Sequence, residues 1–223
     1  MPCESISLDA RHCKTGSKLA KIPGSVCNGC YALKGFYNMP SVKNKMAERM
    51  NFFNSIDFVP RMIEILEQRK NKKLFRWFDS GDVQSELMAH NILDVCEATP
   101  HTMHWIPSKE AGIWKQVKKQ RKIPGNVILR ISATMIDGKP SNSFSHTSTV
   151  HIDKPQGFIC EAYTRSGKCG PCTACWNKEI KNLNKLIQMA SQNNVKISLF
   201  FVPVHLSYLK WENGSQFFNE LKL

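Results

Sequence analysis

Apolar residues recur along this chain with two periods, one helical and one strand-like. Over 41–71 the spacing is helical: Met62, Ile65, Leu66 and Arg69 share a face, and Pro60 suits a first turn. A strand–helix rhythm follows. Residues 74–78 read as a strand, and 84–98 as an amphipathic helix that turns Leu87, Met88, Ile92 and Val95 inward. Residues 102–106 read as a second strand stopped by Pro107, 109–120 as a helix, and 127–131 as a third strand. Further on, a helix over 178–190 precedes a strand over 195–202. Strands alternating with helices of about 10–15 residues predict a mostly parallel sheet with crossover helices. About five to six strands fall short of a complete eight-stranded barrel. The expected class is therefore α/β, as an incomplete (β/α) barrel or an open sheet.

Two stretches break the rhythm. Residues 1–40 are rich in Gly, Pro, Ser and Cys and read as loop-like. Residues 133–176 hold a polar loop, 141–148, and then a cysteine-rich run, expected as an insertion or small lobe on the sheet because so short a piece cannot bury its own core. Residues 1–223 are thus read as a single α/β domain. With 42% hydrophobic and 22% charged residues, a disordered or fibrous chain is excluded. No run approaches the roughly 18 apolar residues of a membrane span. The opening residues are too polar for the apolar centre of a secretion signal. A soluble, cytoplasmic protein is the expectation.

Nine cysteines change that picture. In a reducing compartment, clustered cysteines point to metal or redox chemistry rather than disulfides. The strongest signal is Cys160-x8-Cys169-x2-Cys172-x2-Cys175. Two-residue gaps let successive thiolates curl around one centre, with Gly170 and Pro171 supplying a tight turn. Cys-x2-Cys-x2-Cys is the core of the ferredoxin run for a 4Fe-4S cluster, and Cys160 is placed to be the fourth ligand. Zinc is the alternative, since it also takes four thiolates. Overlapping pairs suit a cube's corners better than one tetrahedron. The second group is Cys13-x13-Cys27-x2-Cys30. Three thiolates can hold three corners of a four-iron cube and leave one iron open to a small ligand. His12 completing a Cys3His zinc site and a pooling of both groups around one centre are the other options. Cys96 reads as a small apolar core residue.

The charge balance, 31 Lys and Arg against 18 Asp and Glu, is +13 and suits an anionic partner such as nucleotide or nucleic acid, or else only a solvated basic surface. The densest basic run, 115–122, reads as the outer face of one helix. In a parallel sheet, functional groups gather at the carboxyl ends of strands. Asp79, Ser80 and Asp82 should therefore share a mouth with Ser108 and Lys109, with Ser132 and His205 after later strands. There the aspartates could bind a ribose, an amino group or a cation; alternatively, Asp79 or Ser80 only caps the helix that follows. Arg76 and Arg130 lie within strands, where each needs a partner, with the aspartates as candidates beside a substrate. His101 and His104 read as packing residues, and Trp77, Trp105 and Trp176 as core or cluster shielding. No residue is singled out as catalytic.

Cys27-Asn-Gly-Cys30-Tyr-Ala32, followed by Gly35-Phe-Tyr37, resembles the Cys-x2-Cys-Tyr-Ala end of radical S-adenosylmethionine (SAM) enzymes. The order Cys-Tyr-Ala, Arg-Trp-Phe-Asp-Ser-Gly-Asp, His-Trp-Ile-Pro-Ser, Leu-Arg-Ile-Ser-Ala and Cys-Gly-Pro-Cys-Thr-Ala-Cys-Trp is similar, over nearly the whole chain, to the gene-product-eighty-eight family of phage and prophage proteins. A phage protein would work in the host cytoplasm. The radical SAM resemblance implies one or two 4Fe-4S clusters, SAM on the open iron of the Cys13, Cys27 and Cys30 site, an auxiliary cluster on the later cysteines, and an electron donor. Two departures stand against it. The first cysteine gap is thirteen residues rather than three, and no Gly-Gly-Glu stretch holds the methionine amine, so 79–82 would have to substitute. The rival class is a non-enzymatic iron–sulfur or zinc protein that binds nucleic acid or a host protein.

Overall fold

The computed structural model describes residues 1–186 apart from Asp153. Seven strands form one sheet: β1 (Ser5–Ile6), β2 (Leu74–Trp77), β3 (Met103–Ser108), β4 (Val127–Ser132), β5 (Thr147–His151), β6 (Phe158–Ile159) and β7 (Asn182–Leu186). Their spatial order is β1-β2-β3-β4-β5-β7-β6, and every neighbouring pair is parallel. The α/β expectation holds, and among the described residues the sheet is open rather than closed. Helices α1 (Lys14–Leu19), α2 (Pro40–Phe53), α3 (Phe58–Gln68), α4 (Glu86–Ala98) and α5 (Ala111–Gln120) complete the framework.

The register assigns the two faces. Phe75 pairs with His104, Ile106 with Leu129 and Ser108 with Ile131, so these share one face with Trp77, two residues beyond Phe75 in β2. That face forms the core with α3, α4 and α5 through buried Met62, Leu66, Ile92, Val95, Trp114 and Val117. His104 lies inside it, with Thr99 Oγ1 on Nε2 at 2.9 Å and Trp77 donating to Nδ1 at 3.3 Å, which is the packing role expected. Arg76, paired with Trp105, and Arg130, two residues beyond Ile128, point to the opposite face. So do Leu183 and Lys185, through the pairings Ser148↔Leu183 and Val150↔Lys185.

Several expectations need correction. Residues 1–40 are not only loop: β1 forms an edge of the sheet against β2, and α1 follows Cys13. The helical stretch 41–71 is two helices broken at 54–57, with Pro60 in the first turn of α3 as expected. Pro107 does not stop its strand. The Met103 N–H faces β2 and the His104 N–H faces β4, so by alternation the missing Pro107 N–H lies on the β2 side, beyond the last paired residue there. Leu87 points outward, 70% exposed, while Met88, Ile92 and Val95 are buried. The stretch 133–176 contributes β5 and β6 to the sheet itself. The expected helix over 178–190 is wrong where described: 182–186 alternates sides as β7, because it has a strand on each side to satisfy its backbone. The strand expected over 195–202 and His205 lie outside the described residues.

Candidate functional site

Both cysteine groups are built on this sheet, one across its carboxyl-terminal edge and one on the face opposite α3, α4 and α5. The first begins just after β1. Cys13 precedes α1, whose Thr15 donates from N and Oγ1 to the two carboxylate oxygens of Glu110, each at 2.7 Å. Glu110 follows β3, so this pair anchors the start of α1 at the strand ends. Cys27 and Cys30 are joined by a turn with the Cys30 N–H on the Cys27 carbonyl at 3.0 Å. Gly29 within it has φ +76°, which favours glycine. Just before it, Val26 N–H bonds to Thr134 O at 3.0 Å, tying this loop to the chain leaving β4. Gly16 leaves a gap among the thiols: a Cβ there would sit 3.6 Å from Cys13 Sγ and 3.7 Å from Cys27 Sγ. Burial pushes the Cys13 and Cys27 thiols up, and the Lys109 charge acts against it on both.

Of the residues expected at the strand ends, Asp82 meets Ser108 and Lys109, while Asp79 and Ser80 turn to other partners and are buried. Asp82 accepts from Ser108 Oγ at 2.7 Å, Lys109 N at 2.7 Å and Val83 N at 2.8 Å. Burial raises its carboxyl to about 6 despite these donors. Both Asp82 oxygens are thus engaged in joining the end of β2 to the end of β3, a scaffold for the mouth. Ser80 Oγ donates to Leu8 O at 3.0 Å, and Tyr31, next to Cys30, donates its hydroxyl to Asp79 O. Neither Asp79 nor Ser80 caps the following helix; Ser85 does, accepting from Met88 N at 3.0 Å. The chain can turn here because Gly81, at φ +75°, packs where a Cβ would meet Leu8 O at 2.6 Å. Ser132 lies one strand further on, Oγ to Oγ of Ser148 at 2.9 Å.

The second group lies against the face opposite α3, α4 and α5. Cys160, Cys169, Cys172 and Cys175 all line one cavity, together with Arg76, Trp105, Trp176, Leu183 and Lys185. Gly167 and Gly170 take positive φ, and the Cys172 N–H closes a turn onto Cys169 O at 3.2 Å. Trp176 fixes the segment to the sheet: Nε1 donates to Phe75 O at 2.9 Å, and its ring stands edge-on to Trp105 at 5.3 Å. The Arg76 guanidinium lies over the Trp105 ring, 4.6 Å from its centroid. Burial pushes the Cys175 thiol up to about 12, opposed by Arg76. Lys185 is pushed down to about 8, first by burial and then by Arg76, while Cys160 and Cys175 pull it back.

Charge links the two groups. Lys109 acts on Cys13, Cys27 and Lys185, while Arg76 acts on Cys175, Lys185 and Tyr31. The aspartates expected as partners of Arg130 are not its partners; it is held by backbone carbonyls instead. Sequence reasoning missed Glu110, Gly16 and Lys185. Lys185 was hidden by the helical reading of its segment, whereas Glu110 carried a usable signal, being the first carboxylate after the strand that bears Ser108 and Lys109. Among the described residues, no three His, Cys, Asp or Glu side chains are gathered as one metal ion would need. A tetrahedral zinc site with Zn–S of about 2.3 Å would require thiolates roughly 4 Å apart. The four thiols of the second group line one cavity, and four thiolates are a donor set that either zinc or an iron–sulfur cluster takes. No helix among the described residues is long and apolar enough to cross a membrane.

A family model described as gene product 88 matches residues 2–178, a stretch that includes both cysteine groups. Searches of curated proteins and of solved structures found no match.

Proposed function

The chain belongs to the gene product 88 family, and we propose that it is an iron–sulfur protein of radical-SAM-like type. The observation that carries this reading is the placement of the cysteines on a parallel sheet. Cys160, Cys169, Cys172 and Cys175 ring one cavity, and Cys13, Cys27 and Cys30 stand over the strand ends with a Gly16 gap between the first two. In this reading the three N-terminal thiolates hold a 4Fe-4S cluster with one open iron, and the other four hold an auxiliary cluster. When bound, the first cluster supplies the electron that cleaves SAM.

The protein's own residues have defined tasks around it. Glu110 anchors Thr15 and with it the start of α1, next to Cys13. Asp82, through Ser108 and the Lys109 amide, holds β2 and β3 at the spacing of the mouth. Lys109 lies at that mouth, where the polar end of SAM or a substrate would be received. Arg76, Lys109 and Lys185 act electrostatically on the interior, and with the +13 overall balance they favour an anionic substrate such as a nucleotide.

The test is reductive cleavage of SAM by protein purified without oxygen. One electron from dithionite and one hydrogen atom should convert SAM to methionine and 5′-deoxyadenosine, and Cys27→Ala or Cys30→Ala should abolish it. Iron-loaded protein that neither binds SAM nor changes its reduced spin-resonance spectrum on SAM addition refutes the enzyme. Colourless protein with stoichiometric zinc refutes the clusters.

A further inference from the structure

Beneath the second cysteine group lies a buried cation to which the described residues offer no carboxylate. Arg130, in the middle of β4, is fully buried. Its guanidinium donates to Cys175 O at 3.1 Å, Ile180 O at 2.7 Å and Asn177 O at 2.9 Å, with longer approaches to Ala174 O at 3.4 Å and to Thr147 O and Lys181 O at 3.5 Å. All six acceptors are neutral carbonyls. Among the described residues, Cys175 is the acidic group whose charge acts on Arg130, and the other ionisable neighbour that feels the guanidinium, His146, is a base. A buried charge without an opposite charge is costly, and a neutral thiol does not offset it. A metal-bound cysteine is a thiolate and does.

We propose that an iron–sulfur centre on Cys160, Cys169, Cys172 and Cys175 supplies negative charge opposite this guanidinium, and that Arg130 positions this centre and raises its reduction potential. The proposal rests on the iron–sulfur reading above. The geometry gives Arg130 two separable actions. Its planar fork gathers the carbonyls of 174–181 and so fixes the turn that ends in Cys175, a task suited to five rigid donors and poorly to the three of an ammonium. Its charge acts on a centre that becomes more negative by one on reduction, so a fixed cation in a dry surrounding favours the reduced form. Arg130 is a positioning residue in this account, since the ligands stand between it and the metal.

The experiment uses the full chain, loaded with iron and sulfide without oxygen, in a Cys13→Ala, Cys27→Ala, Cys30→Ala background so that only the second site reports. Arg130→Gln should lower the equilibrium constant for one-electron reduction at least tenfold, a midpoint shift of about 59 mV. Arg130→Lys should hold the midpoint within a threefold change in that constant and release iron to a chelator at least tenfold faster. A loaded R130Q protein with an unchanged midpoint overturns the assignment. Should R130Q not fold, R130K decides alone: a midpoint moved tenfold or more, or an unchanged release rate, overturns it. Parent protein that takes up no iron refutes the iron–sulfur reading itself, whereas a loaded cluster indifferent to Arg130 refutes only this inference.

Discussion

Replacing Gly16 by alanine separates the fold from the metal site. Gly16 lies within α1, where alanine favours a helix over glycine by about 1 kcal/mol. The added methyl would stand 2.9 Å from Cys13 Cβ, well inside the roughly 3.5–4.0 Å of a good carbon–carbon contact. The atom in the way is Cys13 Cβ, which rotation about χ1 does not move, so the backbone at the start of α1 must shift, and overpacking of this kind costs about 1–3 kcal/mol. The helix gain offsets part of this, so metal-free Gly16→Ala should be less stable than the parent by about 0–2 kcal/mol. The cluster is not so tolerant, because the displaced atom carries the sulfur of Cys13 and the methyl also crowds that of Cys27. Iron and sulfide per chain, measured after loading without oxygen, should each fall by about four, the content of one cluster. Gly112→Ala is the control: a Cβ there meets nothing within 4 Å, and it should leave iron unchanged. A Gly16→Ala protein with full iron refutes the role given to Cys13.

Two other outcomes follow from the buried polar groups. His104 is held down to about 3 by burial against an ordinary value of 6.5, so the unfolded chain takes up its proton first and native stability falls as pH drops from about 6.5 toward 3, at up to about 1.4 kcal/mol per pH unit. Asp82 is raised to about 6 from 3.8, so in that window the native state takes up its proton first and stability rises as pH falls. Denaturant melts should thus show a flat profile between about pH 4 and 6 in the parent, a loss on acidification in Asp82→Asn and a gain in His104→Gln; parallel profiles in all three refute both assignments. Trp176→Phe removes the 2.9 Å bond to Phe75 O, a carbonyl that keeps its place in the β2–β3 ladder, and should cost about 0.5–1.5 kcal/mol, while iron at the second site becomes easier to chelate. Unchanged melting and unchanged chelation show that Trp176 does not fasten the segment.

What the sequence revealed depended on how local the cause was. The strands 74–78, 102–106 and 127–131 were legible because each is a short apolar run followed by a polar turn, and the meeting of Asp82 with Ser108 and Lys109 followed from parallel topology alone. β1 was hidden because two residues have no periodicity. β7 was hidden because Leu183, Leu186, Ile187 and Met189 also fit a helical face; strands on both sides decide its state, and neighbours across a sheet leave no local trace. Arg130 was read as needing a partner, which it does, but carbonyls from 45–50 residues away cannot be seen in a spacing. The cysteine groups were legible as groups. Their separate seats, one over the strand ends and one on the face opposite α3, α4 and α5, required the three-dimensional sheet.

The central claim is that seven thiolates in two seats grip iron and sulfide, and counting metal tests it most directly. Full-length protein made and purified without oxygen should hold about eight irons and eight sulfides per chain. Cys27→Ala with Cys30→Ala should remove about half, and Cys169→Ala with Cys172→Ala the other half. Zinc in place of iron, or iron unmoved by either pair of substitutions, contradicts the account.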